Sequence, residues 1–360
     1  MRAVRYHGRG DIRVEEVPEP SGPGDQEVLI APGWCGICGT DLHEYTSGPI
    51  VTPVDPHPLT GAQNPQVLGH EFSATVVAVG KTVKSVAAGD RVSVMPLIFC
   101  GRCDMCRQGR NHMCRTMACT GLSSAGGGLA ELAVVNEYQI ARLPDDVSDV
   151  QGAAVEPAAV ALYGVERSAF PAGGRLLIAG AGPIGALAAL AATALGAGLV
   201  IICEPNPNRA SFAEGLDVGP VLTETGDSLI EALNDLTEGD GVDAAIECAG
   251  KEAALNACID AVKPQGSVVQ TGLHVAPART VPETWSLKDL TIEGTWCYNV
   301  TDWPRVIRLI STGKYPVEKV VSSRVGLDEI VTEGFDRLID PAGNEVKVMG
   351  SATRLAGEVG

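Results

Sequence analysis

Positive charge is scarce in this chain of 360 residues. Its 27 lysines and arginines stand against 44 aspartates and glutamates, a net charge of −17. A nucleic-acid partner needs a basic face to neutralise phosphates, so that class is excluded. The acidity reads instead as a well-solvated surface. The first residues, Met1-Arg2-Ala3-Val4-Arg5, contain no apolar signal core, and a cytoplasmic chain is expected. Internal repeats and low-complexity tracts are missing. A long uncharged run occurs once, at residues 176–203, and its two glycine clusters would break a membrane span, so no membrane partner is expected. Histidine is rare, with six in all. His7, His57, His112 and His274 belong to no motif and read as structural.

What the uncharged run does contain organises the chain. It opens with Leu176-Leu177-Ile178-Ala179 and continues Gly180-Ala181-Gly182-Pro183-Ile184-Gly185. An Ala/Leu-rich stretch, a second glycine turn and a β-branched run follow. The pattern predicts strand, tight turn, helix and strand, one βαβ unit of a parallel sheet buried on both faces. The glycines divide the work of a dinucleotide site. Gly180 permits the turn, Gly182 lets the backbone approach a pyrophosphate, and Gly185 lets the helix pack on the strand. The helix start, at Pro183 and Ile184, offers N–H groups to that anion. Glu204 ends the second strand, where a carboxylate holds the ribose hydroxyls of NAD and repels a 2′-phosphate; Arg209 nearby is the residue able to soften that preference.

The 11 cysteines are not spaced as a disulfide framework. Cys100, Cys103, Cys106 and Cys114 crowd together, and four thiolates on one short loop suit a closed, structural zinc better than an iron–sulfur cluster. Cys38, His70 and Glu156 are candidates for a second zinc with an open fourth position. Spacing does not decide this, since Cys38 with Cys35 also forms a C-x-x-C pair. The segment around Cys38, Gly36-Ile37-Cys38-Gly39-Thr40-Asp41-Leu42-His43, predicts a tight, exposed turn, and residues 46–66 a long Pro/Gly-rich loop. Short strand-like runs fill the first third of the chain. Residues 150–166 read as a helix, and strands alternate with helices as far as about residue 293. Residues 302–311 read as another helix. The tail, 351–360, is small and polar and is expected to fray.

Cys38-Gly39-Thr40-Asp41-Leu42-His43, then Gly69-His70-Glu71, the four-cysteine lobe and the Gly180 fingerprint follow one another as in the zinc-dependent medium-chain dehydrogenases/reductases, which the chain resembles over nearly its whole length. The resemblance implies an α/β protein: a GroES-like, mainly β catalytic domain plus a doubly wound Rossmann domain. The implied boundaries are 1–154, with the zinc lobe at about 95–119, then 155–293 for NAD, and 294–360 returning to the catalytic domain. It implies Cys38 and His70 as ligands of catalytic zinc. The third ligand varies in the family; Glu156-Pro157 is the polyol-type pattern, and Glu71 is an alternate ligand or a neighbouring acid. Thr40 and His43 stand where the family relays the alcohol proton through the cofactor ribose, and Asp41 where it orients the zinc histidine. The loop segments His43-Glu44-Tyr45, Gly48-Pro49-Ile50 and His57-Pro58-Leu59-Thr60 look like those of 2,3-butanediol dehydrogenases of (R,R) type, which interconvert 2,3-butanediol and acetoin and reduce diacetyl. NAD, one catalytic and one structural Zn2+, a vicinal diol or acyloin substrate, and a homodimer or homotetramer are thereby implied. Two other readings stand beside it: another polyol or threonine-type dehydrogenase, and a non-catalytic zinc-ribbon binding protein, in which Thr40 and His43 would have no purpose.

Overall fold

The computed structural model describes residues 1–340 and 342–352. Of the tail expected to fray, residues 353–360 lie outside the described residues. The described chain forms two compact units. The first holds Met1–Glu156, Asn299–Ser311 and the described residues from Val321 on; the second holds Pro157–Tyr298 and Thr312–Val320. The first crossing falls within one helix, Asp149–Arg167, at Pro157. The excursion at 312–320 is not marked in the sequence. It is anchored by Tyr315, fully buried, whose hydroxyl sits 3.2 Å from the Ala158 carbonyl and 3.1 Å from that of Leu187.

The second unit is built on six parallel strands in the order Val221–Leu222, Leu199–Cys203, Arg175–Ala179, Val242–Glu247, Val262–Gln270, Thr291–Gly294. The strand order reverses between Arg175–Ala179 and Val242–Glu247, the doubly wound arrangement, and ligands of such sheets bind at the carboxyl ends beside that reversal. The apolar runs are unbroken because these strands are covered on both faces: Leu177, Ile201, Ala245 and Val268 are fully buried. Helices Pro183–Ala194, Pro207–Glu214, Asp227–Thr237 and Glu252–Ala261 connect them.

The first unit is mainly β. Its central strand, Glu27–Gly36, pairs antiparallel with Glu71–Val79, with Ala133–Asn136 and with Val348–Ser351. The register sets Gly36 opposite Glu71 on one side and opposite Met349 on the other. Three segments far apart in sequence thus end at one place. Tyr6, Ile30, Phe72, Val92, Leu129 and Phe335 form the core behind them. Burying each such side chain contributes about 1.5–3 kcal/mol.

One local expectation is corrected. The residues after Gly36 do not make an exposed turn; a helix, Gly39–Ser47, begins at Cys38. The Cys38 N–H donates to Asp41 Oδ2 at 2.9 Å, so the acid in the first turn satisfies the helix start, and Asp41 itself is fully buried. The long loop that follows is tied down by another buried acid. Glu44 accepts the N–H of Ile50 at 3.0 Å, the N–H of Val51, and the Thr52 hydroxyl at 2.6 Å. No helix among the described residues is long and apolar enough to cross a membrane.

Candidate functional site

Cys100, Cys103, Cys106 and Cys114 bring their sulfurs within 4.8 Å of one another. All four are free thiols rather than disulfides. The Cys103 N–H points at Cys100 Sγ (3.4 Å) and the Cys100 N–H at Cys114 Sγ (3.3 Å). Backbone N–H groups of Arg102 and Cys103 bring the Cys100 thiol down to about 6, whereas burial pushes Cys106 up to about 12. Amides aimed at sulfur favour the thiolate that zinc binds, so these residues fit a closed tetrahedral ion. Outside the cluster, Arg115 pairs with Asp104 at 2.7 Å.

A second cluster gathers Cys38, His70 and Glu71, with ligand atoms again within 4.8 Å. Cys38 stands at the helix start, and His70 and Glu71 at the beginning of the paired strand. Glu156 is not in this group of three, although it is buried and close enough to push the neighbouring Cys119 thiol upward, behind the larger effect of burial. Asp41 lies behind His70, its Oδ1 3.6 Å from Nδ1. Burial by itself would lower the His70 imidazole, but Asp41 and Cys38 carry it well above its ordinary value. Asp41 Oδ1 and His70 Nδ1 are buried and face each other at 3.6 Å, beyond hydrogen-bond distance, and Glu71 Oε2 is buried in an ion pair with Lys347. A thiolate, an imidazole and surplus buried carboxylate satisfy a divalent cation better than they satisfy each other. Thr40, half-buried on the first helical turn, has its hydroxyl 3.8 Å from Cys38 Sγ, and His43 follows on the same helix, also half-buried.

The second unit carries the dinucleotide features. Gly180 turns the chain at φ 102°, and a Cβ there would meet Ala249 at 3.0 Å. At Gly185 a Cβ would collide with the Gly180 carbonyl oxygen. At Gly182, the residue before the helix Pro183–Ala194, a Cβ would meet nothing within 4 Å. That open space at a helix N-terminus fits a pyrophosphate. Glu204 is buried, and each of its oxygens already accepts one backbone N–H, from Ala181 and from Asn206, both at 2.9 Å. A carboxylate keeps further lone pairs after that, so Glu204 both shapes the glycine loop and retains capacity for a ribose hydroxyl. Arg209 is exposed, on a helix whose start is capped by Asn206.

Sequence reasoning missed two residues. Glu247, fully buried at the end of its strand, accepts the Ala249 N–H at 2.8 Å and the Gln270 amide at 2.8 Å, fixing the loop against which Gly180 packs. Lys347 is a buried lysine paired with Glu71; burial pulls its ammonium down, but Glu71 holds it above its ordinary value. The signal for Lys347 was present as a lone charge in the apolar text Val346-Lys347-Val348-Met349.

Comparison with known proteins agrees with this arrangement. The alcohol dehydrogenase GroES-like domain matches residues 24–145, and the zinc-binding dehydrogenase family matches residues 183–312. The chain is 36% identical over 353 residues to an (R,R)-butanediol dehydrogenase of Neisseria gonorrhoeae, covering 97% of this chain and 99% of that one. It is similar, at TM-score 0.91 and 37% identity, to the crystal structure of 2R,3R-butanediol dehydrogenase from Bacillus subtilis, covering 98% and 99% of the two chains. A zinc-binding dehydrogenase from Sinorhizobium meliloti bound to NADP is similar at TM-score 0.84 and 31% identity, covering 97% and 98%.

Proposed function

The chain belongs to the zinc-dependent medium-chain dehydrogenases/reductases and is a zinc alcohol dehydrogenase; from that premise we propose that it interconverts 2,3-butanediol and acetoin, and reduces diacetyl, with NAD as the hydride carrier. The observation that carries the reading is the set Cys38, His70 and Glu71 gathered in one place, with Glu156 near it. Two firm ligands and a carboxylate leave a position for a substrate oxygen, unlike the closed four-cysteine set. The likeness to butanediol dehydrogenases over almost the full chain supports the vicinal diol as substrate.

Bound zinc supplies charge neutralisation at the alcohol oxygen, and bound NAD supplies a hydride acceptor. The protein's own groups do the rest. Asp41 stands beside the Nδ1 side of His70 and would orient the ring, leaving the other nitrogen to bind a metal. The Thr40 hydroxyl takes up the alcohol proton, since a hydroxyl both accepts and donates, and His43 passes it to water. Cys100, Cys103, Cys106 and Cys114 hold the structural ion.

The test is a substrate panel. NAD reduction with each 2,3-butanediol stereoisomer, sorbitol and threonine should give a kcat/KM for one butanediol isomer at least about tenfold above the others, the discrimination that about 1.4 kcal/mol supplies. A chelator should abolish it. Preference for sorbitol or threonine would overturn the substrate, and turnover unaffected by chelation would overturn the zinc chemistry.

NAD over NADP rests on Glu204, whose buried carboxylate disfavours a 2′-phosphate. Glu204→Ser should shift the NAD-to-NADP ratio of kcat/KM toward NADP by on the order of tenfold or more, since each 1.4 kcal/mol of removed repulsion is tenfold. The same substitution removes the acceptor of the Ala181 N–H, so the KM for NAD should also rise. An unchanged ratio would mean that Glu204 does not read the ribose.

A further inference from the structure

The long loop at residues 46–66 covers a set of buried oxygens that neither metal cluster uses. Tyr6 and Glu44 are fully buried there, and Thr52 and Gln66 nearly so. Tyr6 and Gln66 are register partners on adjacent antiparallel strands, so their side chains share one face. Gly48 shows how near Tyr6 comes to the helix Gly39–Ser47: a Cβ there would lie 2.5 Å from the Tyr6 hydroxyl and 2.5 Å from the Glu44 carbonyl oxygen. Asn64 joins from the loop. Its amide nitrogen is 3.3 Å from Thr52 Oγ1, which is 2.6 Å from Glu44 Oε2.

Both amides have committed their nitrogens. Asn64 Nδ2 is used on Thr52, and Gln66 Nε2 donates to the Gln63 carbonyl at 2.7 Å. Asn64 Oδ1, Gln66 Oε1 and the Tyr6 hydroxyl have no hydrogen-bond partner among the described residues, and stranded buried oxygens are costly. Glu44 adds a carboxylate whose donors, two N–H groups and a hydroxyl, are all neutral. Burial first, and Glu44 second, push the Tyr6 hydroxyl up, so it stays neutral as well. These atoms lack a positive charge that brings no acceptor of its own. A water molecule brings two protons and no charge. A monovalent cation meets every oxygen at once and cancels Glu44, whereas a divalent one would leave a surplus.

We infer that Tyr6, Asn64 and Gln66 supply the oxygens, and Glu44 the counter-charge, of a site for a dehydrated alkali cation, sodium or potassium. The ion would tie the loop to the helix that carries Thr40 and His43.

Thermal unfolding of the zinc-loaded protein tests this, in chloride salts of sodium, potassium and tetramethylammonium at equal concentration. Tetramethylammonium is too large for so enclosed a site. No turnover is needed, so the result stands apart from the substrate reading. Sodium or potassium should raise the melting temperature by about 3 °C or more over tetramethylammonium, and the rise should saturate with concentration. Tyr6→Phe and Gln66→Leu should each cut that rise by about half or more. In tetramethylammonium, Tyr6→Phe should melt within about 2 °C of wild type or above it, because it deletes a hydroxyl without a partner. A side chain that only packs would lower the melting temperature alike in all three salts. Equal melting of wild type in the three salts would overturn the inference and leave ordered water on these oxygens. A rise retained in full by either variant would overturn it too, by placing the cation elsewhere. If Gln66→Leu does not fold, Tyr6→Phe decides.

Discussion

His70→Ala should reduce kcat with 2,3-butanediol by on the order of a thousandfold or more, because polarisation by a metal is worth several kcal/mol at the transition state. The loss should come with the loss of one of two metals per chain, read by elemental analysis. Stability should change less. His70 packs against Asp41 rather than filling the apolar core, and its removal leaves one buried carboxylate oxygen without a neighbour, at a cost of about 1–3 kcal/mol. A melting temperature lowered by a few degrees, with the lobe metal retained, would separate a lost ligand from a lost fold. Were the variant to keep a tenth or more of wild-type activity, the metal that acts on substrate would not be held by Cys38 and His70.

The parts of the molecule readable from sequence are those whose constraint is local. Residues 176–203 had to be apolar throughout, because a central parallel strand and its helix are covered on both sides, and the structure returns strand, helix and strand at Arg175–Ala179, Pro183–Ala194 and Leu199–Cys203. The four-cysteine cluster was readable for the same reason: its spacing fits within a short loop. What strand pairing assembles was harder to see. His70 and Glu71 reach Cys38 only through the register of Glu71–Val79 on Glu27–Gly36, and Lys347 only through the strand that follows it. No spacing encodes that register. The turn expected around Cys38 failed in a related way. Its glycines argued against helix, but the buried Asp41 caps the helix start and stands behind His70, so tertiary contacts outweighed weak propensity. Glu44 likewise gives the loop after it a frame that Pro/Gly composition does not announce.

The four-cysteine lobe should give the largest effect on structure. It hangs between the strands Leu97–Ile98 and Ala118–Cys119, which pair with one another. Between them lie only a helix of four residues, Asp104–Arg107, and a single 3-10 turn, Asn111–Met113. Met113 is 47% exposed and the arginines at 102, 107, 110 and 115 face solvent, so the lobe has almost no apolar core of its own. Structural zinc contributes about 10–16 kcal/mol in small domains built this way, and here it would be the main force holding the loop. Cys106→Ser replaces a buried ligand, whose thiol burial pushes up to about 12, by a hydroxyl that zinc binds poorly. The expected result is a lobe that opens while the sheets persist. Trypsin should cleave after Arg107 or Arg110 on the order of a hundredfold faster than in wild type, because cleavage follows the population of the open form when opening is fast. Elemental analysis should find one metal per chain rather than two, with the second cluster still loaded. Wild-type resistance to trypsin in the Cys106→Ser protein would show that packing rather than metal holds the lobe, and the four sulfurs would then be buried thiols.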